Sequence, residues 1–478
     1  MRIRKRHFAL LLAGYASVAA CGGRSGTLSL TIVTSPADDP FGSAANVRVT
    51  VGDGKTIKTV PVSGGKFDFT IDQKPLAEGD GAIVRVEALD SAGAVIAYGT
   101  TPTLSLQPVD QGPYAVWVGR PGTLKPAASE LPGPRSEVAT AAITGLGVLY
   151  AGGRDDTGAA LKKTCVYDVY TQSILETADL SAARAGGIGG AVSGIRAAVF
   201  GGSQDTGFGS ATKALSTTEL FDPTTGIGLW SPLTGDTVDA RSQAGVTTLP
   251  SGSILISGGF DTNGNRLGTA ALLTTSSSPV IVKITSPMAA ARVGHAVAPV
   301  KFTDGDGALL FGGLSAGSTE VVVERLVNQS FSTYDLGPGV TNRNGATATT
   351  LADGRVLIVG GTDATGPLAS GFVVTPQVPP LVTPMAAVLS APRSGHTATL
   401  VGGNILVCGG TTAMTGDVAA SCDLIDGGNL TIKETIPMGT GRTGHTAVQL
   451  ETGPILIAGG SDATGAPLSK IEIYMPRL

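Results

Sequence analysis

Residues that could do chemistry recur at fixed places in this chain of 478 residues. The pattern Arg-x-Gly-His occurs three times and supplies His295, His396 and His445, and imidazole is both a metal ligand and a general base. Ser315 stands in Gly-Leu-Ser-Ala-Gly, which matches the GxSxG pattern of a serine nucleophile. Seven arginines precede pairs of glycines, and a guanidinium group offers a planar fork to carboxylates. Metal binding, nucleophilic catalysis and anion binding are therefore the chemistries to weigh.

The elements that must position these residues form a repeat. An apolar strand ending in Gly-Gly occurs seven times, and one arginine precedes each occurrence. The glycine pairs are Gly152 and Gly153, Gly201 and Gly202, Gly258 and Gly259, Gly312 and Gly313, Gly360 and Gly361, Gly409 and Gly410, and Gly459 and Gly460. The arginines are Arg135, Arg184, Arg241, Arg292, Arg343, Arg393 and Arg442. From arginine to second glycine the distance is 18 residues in five of the seven cases, which indicates one structural unit.

Each repeat has the pattern of four short strands. In residues 393–410 two apolar runs flank a tight glycine turn, as in a β-hairpin. A polar turn then leads to a third strand, such as 218–226, and a fourth, such as 228–233. Four strands in about 50 residues are typical of a propeller blade, so residues 119–478 are predicted to form a seven-bladed β-propeller. The glycine pairs are expected to be structural, because neighbouring blades approach closely near the axis.

The two ends of the repeat region predict how the ring closes. The last repeat stops after its third strand, at residues 469–476. Residues 122–131 have the character of a fourth strand that leads into Arg135. We therefore expect residues 122–131 to complete the last blade, which removes exposed sheet edges.

The repeat resembles the kelch repeat in its Arg, His, Gly-Gly, Tyr-Asp and Trp positions, with Trp only at Trp230. Galactose oxidase, a copper enzyme with a kelch-like propeller, has a copper-ligating histidine in a similar place with a ligating tyrosine just before it. Here glycine precedes the three histidines, at Gly294, Gly395 and Gly444, so copper radical chemistry is not expected. Another kelch-like family isomerises sialic acid, and none of its site residues can be placed on this chain.

Context decides how the candidate residues are interpreted. The histidines occupy equivalent positions in different blades, so they cannot all lie about 2 Å from one ion, and each is expected to bond to backbone within its blade. Ser315 lies in a hairpin loop, whereas a nucleophile elbow needs a strand followed by a helix. The arginines keep two interpretations. In the first, they surround one mouth of the channel and bind acidic groups, as arginines of some kelch-like domains do. In the second, each arginine ties its blade to carbonyl groups of a neighbouring blade.

The segment before the repeats predicts a second β domain. Apolar residues alternate with polar ones in 28–34, 47–51, 66–71 and 83–89, which indicates strands with one buried face. Seven or eight short antiparallel strands in residues 27–118 suggest a β-sandwich of immunoglobulin or fibronectin type without a disulfide.

The first residues resemble the leader of a bacterial lipoprotein. Four basic residues precede an apolar run, Phe8–Ala20, which ends in Val-Ala-Ala-Cys and is too short to span a bilayer. The resemblance implies a signal peptide at 1–20, palmitate on Cys21, a lipid-anchored linker at 21–26 and, from Gly22, the outer membrane, facing the periplasm or the cell surface. An ordinary signal cut that leaves Cys21 as a thiol is the alternative.

Charge and the remaining cysteines limit the partners and the bonds. The formal charge of −4 becomes −8 without residues 1–20, so a nucleic-acid partner is not expected. Cys408 and Cys422 fall on neighbouring strands and are a possible disulfide, which is left open. Cys165 is expected to be a lone buried thiol. The loop 261–265 has the composition of a calcium loop, but a solvated turn is favoured.

Together these features favour a non-enzymatic envelope protein that binds through loops at one propeller mouth. The ligand is an unknown protein, peptide or glycan, the membrane is contacted through acylated Cys21, and the chain is expected to be monomeric, without metal or cofactor. A carbohydrate-active enzyme, similar to galactose oxidase or the sialic acid isomerases, is the alternative. A structural surface protein without a small ligand is the third possibility.

Overall fold

The computed structural model describes residues 16–20, 27–52, 56–67, 69–73, 81–105, 114–206, 213–233, 235, 238–315, 323–335, 340–378 and 380–478. Regular structure in these ranges is β, apart from one 3-10 helix at Pro40–Ser43. The predicted all-β class is therefore confirmed. None of the described helical structure has the length and apolarity that a membrane crossing requires.

The N-terminal strands form two four-stranded sheets that share one apolar core. The strands are β1 (Ala16–Ala20), β2 (Thr27–Val33), β3 (Asn46–Val51), β4 (Thr56–Pro61), β5 (Phe69–Gln73), β6 (Gly81–Ala82), β7 (Val84–Leu89), β8 (Val95–Thr100), β9 (Leu104–Ser105) and β10 (Tyr114–Trp117). The sheet orders are β10-β2-β1-β5 and β4-β3-β7-β8, with a short pair β6-β9. Leu30, Val49, Val86 and Val116 are buried together in the core.

Two features of these sheets differ from the prediction. Strand β10 pairs with β2 in parallel, and β1 pairs with β5 in parallel, so the expectation of antiparallel strands alone is wrong. Period-2 alternation reports a buried face and carries no information on strand direction. In addition, β1 lies in the segment expected to be a leader, whereas residues 1–15 and Cys21 lie outside the described residues.

The repeats follow as strands β11 to β41. They are β11 (Thr123–Pro126), β12 (Ala139–Ile143), β13 (Gly147–Ala151), β14 (Thr164–Asp168), β15 (Ser173–Glu176), β16 (Ile188–Ala191), β17 (Ala197–Phe200), β18 (Thr218–Asp222), β19 (Leu229–Pro232), β20 (Gly245–Thr248), β21 (Ile254–Ser257), β22 (Ala270–Leu273), β23 (Ile281–Ile284), β24 (Arg292–Val293), β25 (Ala296–Phe302), β26 (Gly305–Phe311), β27 (Leu314–Ser315), β28 (Val323–Val327), β29 (Ser330–Thr333), β30 (Asn344–Thr350), β31 (Val356–Asp363), β32 (Gly366–Pro367), β33 (Gly371–Thr375), β34 (Leu381–Met385), β35 (Thr397–Val401), β36 (Asn404–Cys408), β37 (Ser421–Asp426), β38 (Ile432–Pro437), β39 (Thr446–Gln449), β40 (Ile455–Ala458) and β41 (Ile471–Met475).

These strands build seven antiparallel paths of four strands, which we number sheets 1 to 7. Their orders are β12-β13-β14-β15, β16-β17-β18-β19, β20-β21-β22-β23, β25-β26-β28-β29, β30-β31-β33-β34, β35-β36-β37-β38 and β39-β40-β41-β11. Buried apolar side chains of each sheet pack against the next; Leu149 and Val199, for example, share one cluster across sheets 1 and 2. The apolar strand positions therefore form the cores between sheets.

Backbone hydrogen bonds join the seven sheets in a ring. The second glycine of each pair donates its N–H to the carbonyl oxygen of the arginine that begins the next sheet. The bonds run Gly153 to Arg184, Gly202 to Arg241, Gly259 to Arg292, Gly313 to Arg343, Gly361 to Arg393, Gly410 to Arg442 and Gly460 to Arg135, at 2.8–3.1 Å. Four-stranded sheets joined in a closed ring fit a β-propeller.

Positive φ explains why glycine ends the second strand. Gly460 has φ +81°, and a Cβ there would lie 2.6 Å from the carbonyl oxygen of Thr443. L-residues rarely adopt this φ, and backbone at that distance cannot move aside cheaply. All fourteen glycines of the seven pairs have positive φ, a backbone conformation that favours glycine at both positions of each pair.

The ring is also closed at its outer edge. Strand β11 pairs antiparallel with β41, with Leu124 opposite Tyr474. The pairing continues beyond β11, because Ala127 N–H donates to Ile471 O and Leu131 N–H to Ser469 O, both at 2.9 Å. The prediction that residues 122–131 complete the last sheet is confirmed.

The N-terminal sheets pack against this closure. Trp117 and Tyr98 share an apolar cluster with Met475 and Ile473 of β41. Tyr98 Oη donates to the carbonyl oxygen of Pro476 at 2.9 Å. The last strand of the chain is thus covered by the N-terminal sheets.

Candidate functional site

The seven arginines are buried, with at most 4 % of each residue exposed. Their guanidinium groups bond inside their own sheet. Arg184 Nη1 donates to Gly201 O at 2.7 Å, and Arg393 Nη1 donates to Gly409 O at 3.0 Å. A ligand at the channel mouth cannot reach groups so enclosed, so the interpretation as an exposed anion-binding ring is corrected. Six of the seven guanidinium groups instead fix the end of the second strand to the start of their own sheet. Arg135 differs, because its Nη1 donates to Lys163 O and its Nη2 to Pro132 O.

Four of these arginines face a buried carboxylate that sequence analysis missed. The acidic partners are Glu219, Glu324, Asp423 and Glu472. In sheet 7, Glu472 Oε2 accepts from Arg442 Nη2 at 2.9 Å, and Oε1 accepts from Gly439 N–H at 2.6 Å. The carboxylate thus joins the third strand to the arginine and to the segment before it.

The three remaining sheets carry another residue at the same register position. Cys165, Ala271 and Phe372 each lie opposite the residue two before the glycine pair. Arg241 has Asp239 at 3.6 Å instead, and the Arg343 guanidinium lies 4.4 Å from the centroid of the Phe372 ring. Burial lowers the pKa of Arg241 and of Arg343 to about 10.

The histidines join neighbouring sheets. His295 Nε2 lies 2.9 Å from Ser257 Oγ, and the equivalent pairs, His396 with Thr347 Oγ1 and His445 with Thr397 Oγ1, have the same separation. Each imidazole thus reaches a hydroxyl group of the preceding sheet, a partner that the sequence did not indicate. Burial lowers the pKa of each imidazole to about 3.

The other sequence candidates have structural places. Ser315 is in the two-residue strand β27, which pairs with β24, and residues 316–322, where a nucleophile elbow would need its helix, lie outside the described residues. Asp261 Oδ1 accepts from the N–H groups of Asn263 and Asn265 at 2.7 and 2.8 Å, as in an exposed Asx turn. Within the described ranges no three His, Cys, Asp or Glu side chains are grouped as metal ligands.

The cysteines divide into a bonded pair and a buried thiol. Cys408 and Cys422 lie opposite each other on β36 and β37 and form a disulfide. Cys165 is a buried free cysteine, and burial raises the pKa of its thiol to about 11.

A second ring of peptide groups surrounds the axis beside the arginines. We call it the mouth ring, and it consists of Glu137, Gly186, Gln243, Gly294, Gly345, Gly395 and Gly444, each two residues after an arginine. Five of the seven neighbouring pairs are joined by a backbone hydrogen bond, for example Gly395 N–H to Gly345 O at 3.1 Å. Six members precede the first strand of their sheet and Gly345 lies near the start of β30, so the mouth ring lies at the end of the seven sheets where their first strands begin.

Small neutral groups line this mouth. Ser394 Oγ and Thr443 Oγ1 lie 2.8 Å from where a Cβ would stand on Gly345 and Gly395. In the described chain, the mouth ring and the seven inner strands β12, β16, β20, β25, β30, β35 and β39 hold one carboxylate, Glu137, and one lysine, Lys301. The remaining side chains there are mainly Ala, Thr, Val and Gly, which are small and carry no charge.

No family model matches the chain, and no curated protein matches it. Among solved structures, one titled "Structure of YjhT" aligns with 61 % of this chain and 94 % of its own, at 15 % identity and a TM-score of 0.46.

Proposed function

We propose that this protein is a lipid-anchored envelope protein whose seven-bladed, kelch-type propeller binds a ligand at the mouth ring without catalysing a reaction. The composition of that mouth carries the proposal. Acid–base catalysis uses titratable groups that face the substrate, whereas the three histidines are buried against hydroxyl groups. A rigid ring that presents peptide groups, hydroxyls and one carboxylate suits binding.

The proposal also assigns roles to Cys21, as the site of a lipid anchor, and to the N-terminal sheets, as a spacer. The Val-Ala-Ala-Cys sequence supports acylation of Cys21, and two sheets around one core support an immunoglobulin-like spacer between the lipid and the propeller. Contacts such as Tyr98 Oη to Pro476 O hold that spacer against sheet 7.

The anchor is tested by expressing the chain and Cys21→Ala and comparing mass and membrane fractionation. The proposal predicts a lipid mass on the parent protein and its loss, with release from membranes, in Cys21→Ala. Equal membrane association of the two proteins, with no lipid mass, contradicts the anchor.

Ligand binding is tested with the full chain on glycan and peptide arrays. The proposal predicts retention of one ligand class without chemical change. No retention on either array contradicts it, and oxidation or release of an arrayed sugar favours a carbohydrate-active enzyme instead.

A further inference from the structure

We propose that Glu137 and Gln243 form the specificity-determining part of the mouth and bind a neutral, hydroxyl-bearing saccharide over Gly186. The inference rests on the proposed function and names its ligand class and contact residues. Four observations support it: backbone conformation, convergence, charge and unpartnered polar atoms.

Backbone conformation marks these two positions. All seven members of the mouth ring have φ between 52° and 67°, a region that disfavours any residue with a Cβ. Five members are glycine, whereas Glu137 has φ 52° and Gln243 has φ 53°. Strained residues of this kind cluster at ligand sites. Since glycine fits the backbone at this position in five sheets, the side chains of Glu137 and Gln243 call for a role.

The two side chains converge on one small residue. Gly186 lies between them in the mouth ring, and its peptide is bonded to both, with Gly186 N–H to Glu137 O at 2.8 Å and Gln243 N–H to Gly186 O at 3.0 Å. A Cβ on Gly186 would lie 3.2 Å from Gln243 Cγ and 3.7 Å from Glu137 Oε2. The Glu137 carboxylate and the Gln243 side chain, at its Cγ atom, therefore flank the same point of the mouth.

The charge of the site selects a neutral ligand. Glu137 Oε2 accepts from Arg154 Nε at 2.9 Å, and Arg154 is fully buried. The pair compensates its own charge, so a charged ligand gains little from it. In the described chain, Glu137 Oε1 and the side-chain amide of Gln243 have no hydrogen-bond partner. These groups offer acceptors and one NH₂ donor, which match hydroxyl groups that donate and accept.

Two further polar atoms lie in the same segments. Ser136 precedes Glu137 and Ser242 precedes Gln243; these serines are 4 % and 2 % exposed. The Oγ atom of each is buried without a hydrogen-bond partner in the described structure, and buried hydroxyls are ordinarily satisfied. The two strained positions are thus each preceded by an unsatisfied hydroxyl.

The test uses three variants of the full chain on an array of neutral glycans, acidic glycans and peptides, with thermal unfolding of each. In Gln243→Gly, glycine suits the left-handed backbone and no side-chain hydrogen bond is lost, so the melting temperature is expected to stay equal or rise. Glu137→Gln keeps an acceptor for Arg154. Gln329→Gly is the matched control, because Gln329 is exposed, has φ 62° and lies in the turn between β28 and β29.

We expect the parent protein and Gln329→Gly to retain neutral glycans, and the two mouth variants to bind them about tenfold or more weakly, which corresponds to the loss of one buried polar contact. Unchanged glycan binding in Gln243→Gly and Glu137→Gln overturns this inference and leaves the proposed function standing. Retention of peptides or acidic glycans alone overturns the neutral saccharide class. Absence of binding by the parent protein overturns the proposed function itself.

Discussion

Gly460 and Arg135 stand at opposite ends of the repeats, and Gly460 N–H donates to Arg135 O at 3.1 Å. The same bond joins each of the six other neighbouring pairs of sheets. Strand β11 adds a second closure at the outer edge of sheet 7. The first and last sheets are therefore held together both near the axis and at the periphery.

The hydrogen bond from Gly460 N–H to Arg135 O and the close backbone packing at Gly460 predict the effect of adding a methyl group there. Gly460→Ala is expected to destabilise the protein by about 3 kcal/mol or more, through positive φ, backbone overlap and a weakened hydrogen bond. Gly465→Ala is the control, because Gly465 has φ +83° and open space around it, and only about 1 kcal/mol is expected. Denaturant unfolding measures both values, and equal losses contradict the close approach at Gly460.

The buried histidines predict how stability depends on pH. Each has a folded pKa of about 3 against 6.5 when unfolded, so only the unfolded chain takes up protons between these values. Their contribution is complete above about pH 6.5 and is lost as the pH falls, by up to about 1.4 kcal/mol per pH unit for each histidine. Unfolding free energies from pH 7 to 4.5 test this dependence. His445→Gln should reduce the slope by one histidine's share, and an unchanged slope contradicts the assignment.

The arginine–carboxylate pairs predict a contrast between two glutamates. Glu472→Ala leaves the Arg442 guanidinium buried without its charge partner, and a loss of about 3–5 kcal/mol in stability is expected. Glu434→Ala removes an exposed pair with Arg477 and is expected to cost about 1 kcal/mol or less. Chemical denaturation of both variants provides the comparison. A small effect of Glu472→Ala would mean that the guanidinium is satisfied by carbonyl groups alone.

The buried thiol and the disulfide predict which cysteines react with a thiol reagent before and after unfolding. Without reductant the native protein should show no reaction at Cys165, because burial raises its pKa to about 11. After unfolding, Cys165 should react and the disulfide of Cys408 and Cys422 should not. Thiol labelling with peptide mapping gives the result, and labelling of Cys408 or Cys422 contradicts the disulfide.

Spacing in the sequence predicted the parts of the fold that repeat. The distance from Arg135 to Gly153 is nearly the same in every repeat, which indicated one unit of four strands. Because the last repeat has only three strands of its own, it needs an earlier segment as its fourth. The parallel pairing of β10 with β2 was not predictable in this way. Alternation defines a buried face, but strand direction depends on the path of the chain between strands.

At the site, the sequence did not predict which side chains bond to each other, neither between strands of one sheet nor between neighbouring sheets. Glu472 lies between apolar residues of β41, where alternation alone cannot distinguish a buried acid from an exposed one. Its role depends on the register of β41 against β40. His445 bonds to Thr397 of the preceding sheet, and no pattern within one repeat identifies such a partner. Glu137 and Gln243 carried one available signal, since they replace the glycine of Arg-x-Gly.

Carbodiimide cross-linking of Lys470 to Glu130, followed by peptide mass spectrometry, tests the closed ring most directly. Their side chains form an exposed ion pair between sheet 7 and the segment after β11. The positive control is the ion pair of Lys163 with Asp179, which are 3.1 Å apart within the first repeat. The closed ring predicts that monomeric protein yields the 130–470 cross-link together with the 163–179 one. Recovery of the 163–179 cross-link without the 130–470 cross-link would contradict closure of sheet 7 by β11 and the segment that follows it.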